Sequence, residues 1–588
     1  MLSGRMKALL SRKYTVVFII FVLAFSIRFI YLEEIKTNPF FENPITDNLW
    51  HDTWAQEIAR GNWLGEEVFF RAPLYPYFLG SIYGVFGHNY YLPRLIQAIL
   101  GSLSCVLIFF IAKIVFNRTV AIIAALIACF YGIFVYFDGE LLITSLVIFL
   151  DLLLVFTLLK TSEKWRSLFW VFSGIVFGLS AIARPAIFVF LVGIFIWMAI
   201  QKEGKKLIQG YLLLCFGIGV IVLPVTLRNY LVGKDLVLIS SQGGINFWIG
   251  NNTRSDGKTA HAPSMDKPPM GVKDNIWYSS VKVAERTTGK EMKSSEVSDF
   301  WFKEGFQFFK KKPLSYVTLQ LKKLYFFWNG FELESNKNIY LYRKFSFLFK
   351  TLVWVWGIAF PFGLVCAFGV VGMYLGRKKW PRLMLLYLFI FIYMIAVVAF
   401  FVTARFRAPI VPFLIMFMAY AIYWLYKRVI EGNYHRMIVP AVLFACIVFV
   451  SNSSFFDVRK TNVLREHWLL GYAFARSGAY KEAISELKEA IKYDYDPFIL
   501  SQVHYILGDI YCVQQEYEEA EKEYIAAIKI NPSHAKVYFQ LGNLYMLLGY
   551  LDEAENAYRN ALKIIPDFKE AKMNLNILLQ KKRLLKRD

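Results

Sequence analysis

The sequence predicts an all-α protein in two parts, a region that crosses a membrane many times and a water-facing array of short helical repeats. Three observations predict it. Apolar residues make up 57% of the 588 and charged residues only 19%, a balance outside the range of soluble domains. The apolar residues are gathered into runs such as Val16–Ile27, Val120–Phe137 and Leu141–Leu159, and about 20 such residues cover a ~30 Å hydrocarbon core at ~1.5 Å per residue. The chain after residue 460 instead repeats itself at a fixed spacing.

Eleven spans are expected: Tyr14–Tyr31, Leu92–Phe116, Val120–Phe137, Leu141–Leu159, Leu168–Ala183, Pro185–Ile200, Leu207–Leu227, Leu352–Leu375, Leu383–Val402, Ile410–Leu425 and Ile438–Val450. The fifth and sixth are short for full crossings. A basic start (Arg5, Lys7, Arg12, Lys13) precedes the first run, and Tyr31-Leu32-Glu33-Glu34 follows it with no small-residue cleavage site, so it reads as a retained helix. Lys/Arg clusters fill Lys160–Arg166, Lys202–Lys206, Arg377–Arg382 and Lys427–Arg436. If the first helix runs inside to outside, all of these face the cytoplasm, as basic loops of an inner (plasma) membrane protein do. Residues 32–91, residues 228–351 and the tail then lie outside, so the expected domains are 1–455, with those two outward loops, and 460–588.

The net charge of +22 sits largely between the apolar runs. Membrane topology accounts for it there, and no nucleic-acid partner is expected. The six cysteines are scattered without a paired spacing and the seven histidines do not cluster, so neither a metal site nor a cofactor is expected. Phosphate-loop, zinc-protease and serine-hydrolase motifs are absent.

In the tail, Leu470-Gly471-Tyr472 recurs as Leu507-Gly508-Asp509 and Leu541-Gly542-Asn543. Ala483, Ala520 and Ala554, and Ala490, Ala527 and Ala561, keep the same steps of 37 and 34 residues, with Pro497, Pro532 and Pro566 between units. This is the tetratricopeptide (TPR) period: small residues let paired helices approach, and Pro closes each unit. Three repeats are about the minimum that buries a core, and Lys569–Leu585 reads as a capping helix.

Candidate chemistry starts in the first outward loop, at Asp47-Asn48-Leu49-Trp50-His51-Asp52 and Phe70-Arg71-Ala72-Pro73-Leu74-Tyr75-Pro76. A carboxylate can deprotonate an acceptor hydroxyl. A guanidinium offers a planar donor fork to phosphate. Together at a water–lipid boundary they suit a substrate with a phosphate head and an apolar tail, against the plainer reading of an interfacial aromatic belt. Arg184, in Ala183-Arg184-Pro185, lies at an outer helix end, where the alternatives are function and snorkelling. Arg405 and Arg407, in Ala404-Arg405-Phe406-Arg407, break the basic-inside trend. Gly243-Gly244-Ile245-Asn246-Phe247-Trp248 marks a tight loop whose Asn246 and Trp248 could bind phosphate or stack on sugar.

These residues carry a resemblance. Asp47, His51 four residues on, Gly61-Asn62-Trp63 and Arg71-Ala72-Pro73-Leu74-Tyr75 resemble the first loop of GT-C glycosyltransferases, within the protein O-mannosyltransferase and aminoarabinose transferase superfamily. The resemblance implies a GT-C membrane domain, with Asp47 as general base and Arg71 as the contact to the lipid phosphate. It departs at Asn48, where the family often has Glu; Asp52 could compensate. Asp138 and Glu140 fall at the family's second acidic position, and Pro224–Tyr230, with Arg228, is similar to a subgroup.

The implied activity is inverting transfer of a hexose or pentose from a polyprenyl-phosphate donor to an acceptor hydroxyl, with Arg184, Arg228, Arg405 and Arg407 as further phosphate ligands. Outward TPR repeats resemble those of lumenal-TPR O-mannosyltransferases and favour a protein or peptide acceptor. The alternatives are a non-catalytic scaffold that recruits envelope proteins, which has no need of Asp47 and Arg71 in one loop, and a lipid-glycan transporter, which should show inverted repeats.

Overall fold

The computed structural model describes residues 12–163, 167–201, 204–259, 275–493 and 496–584. Arg5 and Lys7, parts of the basic loops at 160–166 and 202–206, part of the second outward loop and the end of the capping helix lie outside the described residues. The chain divides into two compact units: one carries the apolar helices up to Arg459, and the other holds Lys460 onward together with residues 38–45.

In the first unit, seven helices among the described residues are long and apolar enough to cross a membrane, or eight if one bent pair counts as a single span. The expected count of eleven is not reached on that measure, for identifiable reasons. The third expected span is broken into Arg118–Cys129 and Gly132–Asp138, bent by 55°. At Gly132 a side chain would strike Val353 Cγ2 at 2.6 Å, so the break sits where another segment presses on the backbone. Ser167–Ala183 and Pro185–Gln201 are shorter apolar helices.

Phe362–Val398 reads as one long apolar stretch, yet Tyr387 OH bonds to Met373 O at 2.6 Å. Fourteen residues of straight helix would separate those atoms by roughly 21 Å. Phe362–Gly376 and Trp380–Val398 are therefore two helices that fold back on each other at Arg377–Lys379.

The start of the expected Leu352–Leu375 span is corrected more sharply. Trp354–Trp356 and Ile358–Phe360 form an antiparallel hairpin, the one exception to the all-α reading among the described residues. Its turn is Gly357 at φ +69, a conformation that a side chain would strain. Trp354 stacks on Phe360 at 3.9 Å, a cross-strand aromatic pair that favours the pleat over helix.

Close helix approach rests on small residues. Ser167–Ala183 and Lys205–Gly233 meet at Gly174 and Gly217, where an added Cβ would lie 2.1 Å and 2.2 Å from backbone oxygens of the other helix. Several buried charges in this unit are paired: Arg28 with Asp138 at 2.6 Å, Lys337 with Glu140 at 2.6 Å, and Arg407 with Glu332 at 2.8 Å. The two long loops are folded: the first carries helices Thr46–Ala59 and Leu74–Phe86, the second Gly243–Gly250, Asn275–Thr288, Ser294–Lys311 and Pro313–Trp328.

The second unit is three helix pairs, Val463–Arg476 with Tyr480–Ala490, Pro497–Val513 with Tyr517–Ile530, and Ala535–Leu548 with Leu551–Ile564, followed by Lys569–Leu584. The repeat signature has a direct packing cause. A side chain at Gly471, Gly508 or Gly542 would collide with Leu487, Tyr524 or Tyr558 of the paired helix. Ala483, Ala520 and Ala554 are fully buried at the matching positions. Pro497 opens its helix at the first position, capped by Asp496, so it starts the next repeat rather than closing the last.

Candidate active site

Asp47 opens helix Thr46–Ala59, where a carboxylate also meets the favourable end of the helix dipole. Its two oxygens are held by two arginines from distant parts of the chain. Arg71 Nη1 donates to Oδ1 and Arg405 Nη1 to Oδ2, each at 2.7 Å. All three side chains are more than four-fifths buried. Burial opposes the ionised form of Asp47, but the guanidiniums of Arg71 and Arg405 outweigh it and hold the carboxyl well below the usual range.

Aromatic rings fix the two arginines. Arg71 lies over Trp50 at 4.6 Å, and Arg405 lies 4.9 Å from the Phe406 ring centre. A third guanidinium joins them from the end of Ser167–Ala183. Arg184 lies 5.1 Å from the Phe406 ring and donates to Tyr393 OH at 3.1 Å and to the Arg405 carbonyl at 3.4 Å. Arg184 Nη2 and Arg405 Nε are buried with no hydrogen-bond partner. Three cations and one carboxylate thus share the site.

His51, one helical turn beyond Asp47, is the functional candidate whose part the sequence reading left unassigned. It packs edge-on against Tyr75 at 5.0 Å and Trp50 at 5.3 Å, and its Nδ1 is buried without a partner. Burial, reinforced by Arg71 and Arg405, pushes its pKa down to about 3, so the ring is neutral at physiological pH. The i, i+4 spacing from Asp47 was the available signal.

Other sequence candidates are held elsewhere. Asp52 accepts hydrogen bonds from Tyr83 at 2.9 Å, Gln56 at 2.8 Å and Tyr90 at 3.3 Å, and pairs with His88 at 2.8 Å. Tyr75 donates to Gln97 at 2.6 Å, and Gln97 in turn reaches the carbonyls of Asp138 and Glu140. Asp138 and Glu140 are committed to Arg28 and Lys337. Arg228 donates to the carbonyls of Leu64 and Glu67 and stacks on Phe69 at 3.8 Å, so it clamps the first loop. Arg407 is buried against Glu332 and the carbonyls of Phe327, Asn329 and Phe331. Trp248 packs on Trp301 at 4.6 Å within a hydrophobic cluster, with Asn246 half-buried on the same short helix.

Among the described residues, no group of three or more His, Cys, Asp and Glu stands close enough to hold a metal ion. Helices long and apolar enough to span, together with charge gathered at their ends, define an integral membrane protein.

Residues 71–227 match the family of dolichyl-phosphate-mannose-protein mannosyltransferases. Residues 467–497, 508–549 and 535–568 match tetratricopeptide repeats. The chain therefore carries a segment similar to that mannosyltransferase family ahead of C-terminal TPR repeats. The family match takes in Arg71, Asp138, Glu140 and Arg184, and stops short of Asp47 and Arg405 on either side.

No curated protein matches the chain. Solved structures that it resembles include the Archaeoglobus fulgidus oligosaccharyltransferase complexed with zinc and sulfate, at 14% identity and TM-score 0.37, with 78% of this chain and 55% of that one covered. Another is the oligosaccharyltransferase AglB of the same organism with an inhibitory peptide and a dolichol-phosphate, at 12% identity and TM-score 0.37, covering 82% and 59%. The chain thus spans under two thirds of either protein, a likeness too loose to carry chemistry.

Proposed function

We propose that this protein is an inverting glycosyltransferase that moves a sugar from a polyprenyl-phosphate donor to a hydroxyl group, on a protein or peptide, at the outer membrane face. The observation that carries the reading is the sharing of Asp47 by Arg71 and Arg405. It brings a carboxylate and phosphate-binding side chains from residues 47, 71 and 405 to one point, and neither a scaffold nor an interfacial belt requires that convergence. The family match over residues 71–227 supports the same reaction class.

In this reading Arg71, Arg405 and Arg184 hold the donor phosphate. The acceptor oxygen attacks the anomeric carbon as Asp47 takes its proton, and the bond from that carbon to the phosphate oxygen breaks. The electron pair stays on the phosphate, whose growing charge the guanidiniums stabilise, so the leaving group needs no proton. A single displacement inverts the anomeric centre. Neutral His51 adds no charge to this step. Asp52, Tyr75, Asp138 and Glu140 support the walls through the contacts described, and Arg228 and Arg407 act by holding backbone. The TPR unit takes the protein acceptor, and its outward location follows from the basic-inside pattern of the loops.

The test is mass spectrometry of envelope glycoproteins and lipids from cells with the gene, without it, and with Asp47→Asn. A glycan lost in both altered strains supports the reading, and identical glycan profiles in all three overturn it.

A further inference from the structure

The donor-phosphate reading gives Asp47 a competitor. The two guanidiniums that would hold a phosphate are the two that hold this carboxylate, one on each oxygen at 2.7 Å. Neither arginine is loose: Arg71 is packed on Trp50, and Arg405 lies between Asp47 and the Phe406 ring. A phosphate reaching them arrives within a few ångströms of a like charge. Two like charges a few ångströms apart in a partly buried site repel strongly, so carboxylate and phosphate cannot both keep their best contacts.

We infer that Asp47 is the residue that selects the ligand and sets the binding order, filling the anion site until the donor's phosphate draws Arg71 and Arg405 away from it. The inference rests on the donor reading above and extends it. A weak or singly hydrogen-bonded anion does not displace a carboxylate held by two charge-assisted bonds. The donor's phosphodiester has two unesterified oxygens, each with lone pairs for more than one donor, so it can engage Arg71, Arg405 and the unpartnered Arg184 Nη2 together. Once the arginines turn to the phosphate, the influence that kept the Asp47 carboxyl acidic is withdrawn while burial remains, and the freed carboxylate becomes the stronger base. The donor therefore binds before the acceptor can be activated, and the base is masked whenever the sugar is not in place.

The consequence runs against the ordinary expectation for a catalytic base. Asp47→Asn should bind the lipid phosphate more tightly than wild type, because the internal competitor is gone. The full chain is purified in detergent, and geranylgeranyl phosphate and uncharged geranylgeraniol are titrated into wild type and Asp47→Asn, with binding read by native mass spectrometry.

The expected result is a gain of about tenfold or more in affinity for the phosphate, with the alcohol unchanged. Equal or weaker phosphate binding by Asp47→Asn, with clear binding by wild type, overturns this inference and leaves the donor reading standing. If neither protein prefers the phosphate to the alcohol, the donor reading falls and the inference falls with it. Should Asp47→Asn fail to fold, a cryo-EM structure of wild type with geranylgeranyl phosphate decides. Both arginines on the phosphate and released from Asp47 is the expected arrangement. Persistence of both 2.7 Å pairs beside bound phosphate overturns it.

Discussion

Asn48 donates its side-chain amide to Glu140 Oε2 at 2.7 Å, the same oxygen that receives Lys337 at 2.6 Å. The residue beside Asp47 is thereby tied to the turn that precedes helix Thr144–Glu163. The resembling family often carries an acid at this place in the motif, and here the buried Glu140 makes an acid unfavourable.

Asn48→Asp should replace a donor by a second carboxylate against Glu140 and destabilise the protein by roughly 1–3 kcal/mol. Asn48→Ala, which only deletes the bond, should cost less. Thermal unfolding in detergent measures both, and an Asn48→Asp protein as stable as wild type would show that the contact has no energetic weight.

Arg71 and Arg228 both belong to the first loop's surroundings but should fail differently. Arg71→Ala should slow transfer by about 10²-fold or more, because a guanidinium on the leaving phosphate gains strength as charge develops. Arg71→Lys should be a partial defect, since the charge remains and the planar fork is lost. Arg228→Ala removes donors from the carbonyls of Leu64 and Glu67, so it should expose that segment to limited proteolysis with a smaller kinetic effect. A proteolysis pattern unchanged in Arg228→Ala would contradict its role as a clamp.

His51 makes a prediction about acid stability. Its folded pKa of about 3 lies below the ordinary 6.5, so between those values the unfolded chain binds the extra proton. Stability is then lost as pH falls through that window, by up to about 1.4 kcal/mol per pH unit. Asp47 acts in the other region: its lowered carboxyl supports folding above pH ~4 and loses that support only below it. His51→Gln should therefore flatten the stability profile between about pH 6.5 and 4. Parallel wild-type and variant profiles there would mean that His51 is not held neutral.

The class of fold was legible because hydrophobic run length and the repeat period are properties of the chain itself. Gly508 and Tyr524 illustrate the second: the small residue recurs because a large side chain of the paired helix lies opposite it. The sequence also offered Asp47 with Arg71, Arg184, Arg228, Arg405 and Arg407 as one set around a phosphate. Which arginines meet Asp47 was not legible, since Arg405 lies 358 positions from Asp47 and only packing brings it there. Arg407, two residues on, carries the same sequence signal and is turned into a buried pair with Glu332. Hydropathy likewise could not tell Trp354–Phe360, a hairpin, from the start of a span, because aromatic and β-branched residues satisfy both.

We propose the outward location of the repeats from the basic clusters of the loops. Alkaline phosphatase fused after Asn452 should be active, and a reporter that works only in the cytoplasm should be silent. The reverse pattern would remove the meeting of repeats and active site on one side of the membrane.

The central claim is that Asp47 takes the acceptor's proton. The most direct measurement is turnover of a short-chain polyprenyl-phosphate sugar by purified wild type and Asp47→Asn, each first shown to bind the phosphate probe. The account predicts a loss of about 10²-fold or more in the variant with donor binding retained or strengthened. Turnover near the wild-type rate would contradict it and move the base away from Asp47.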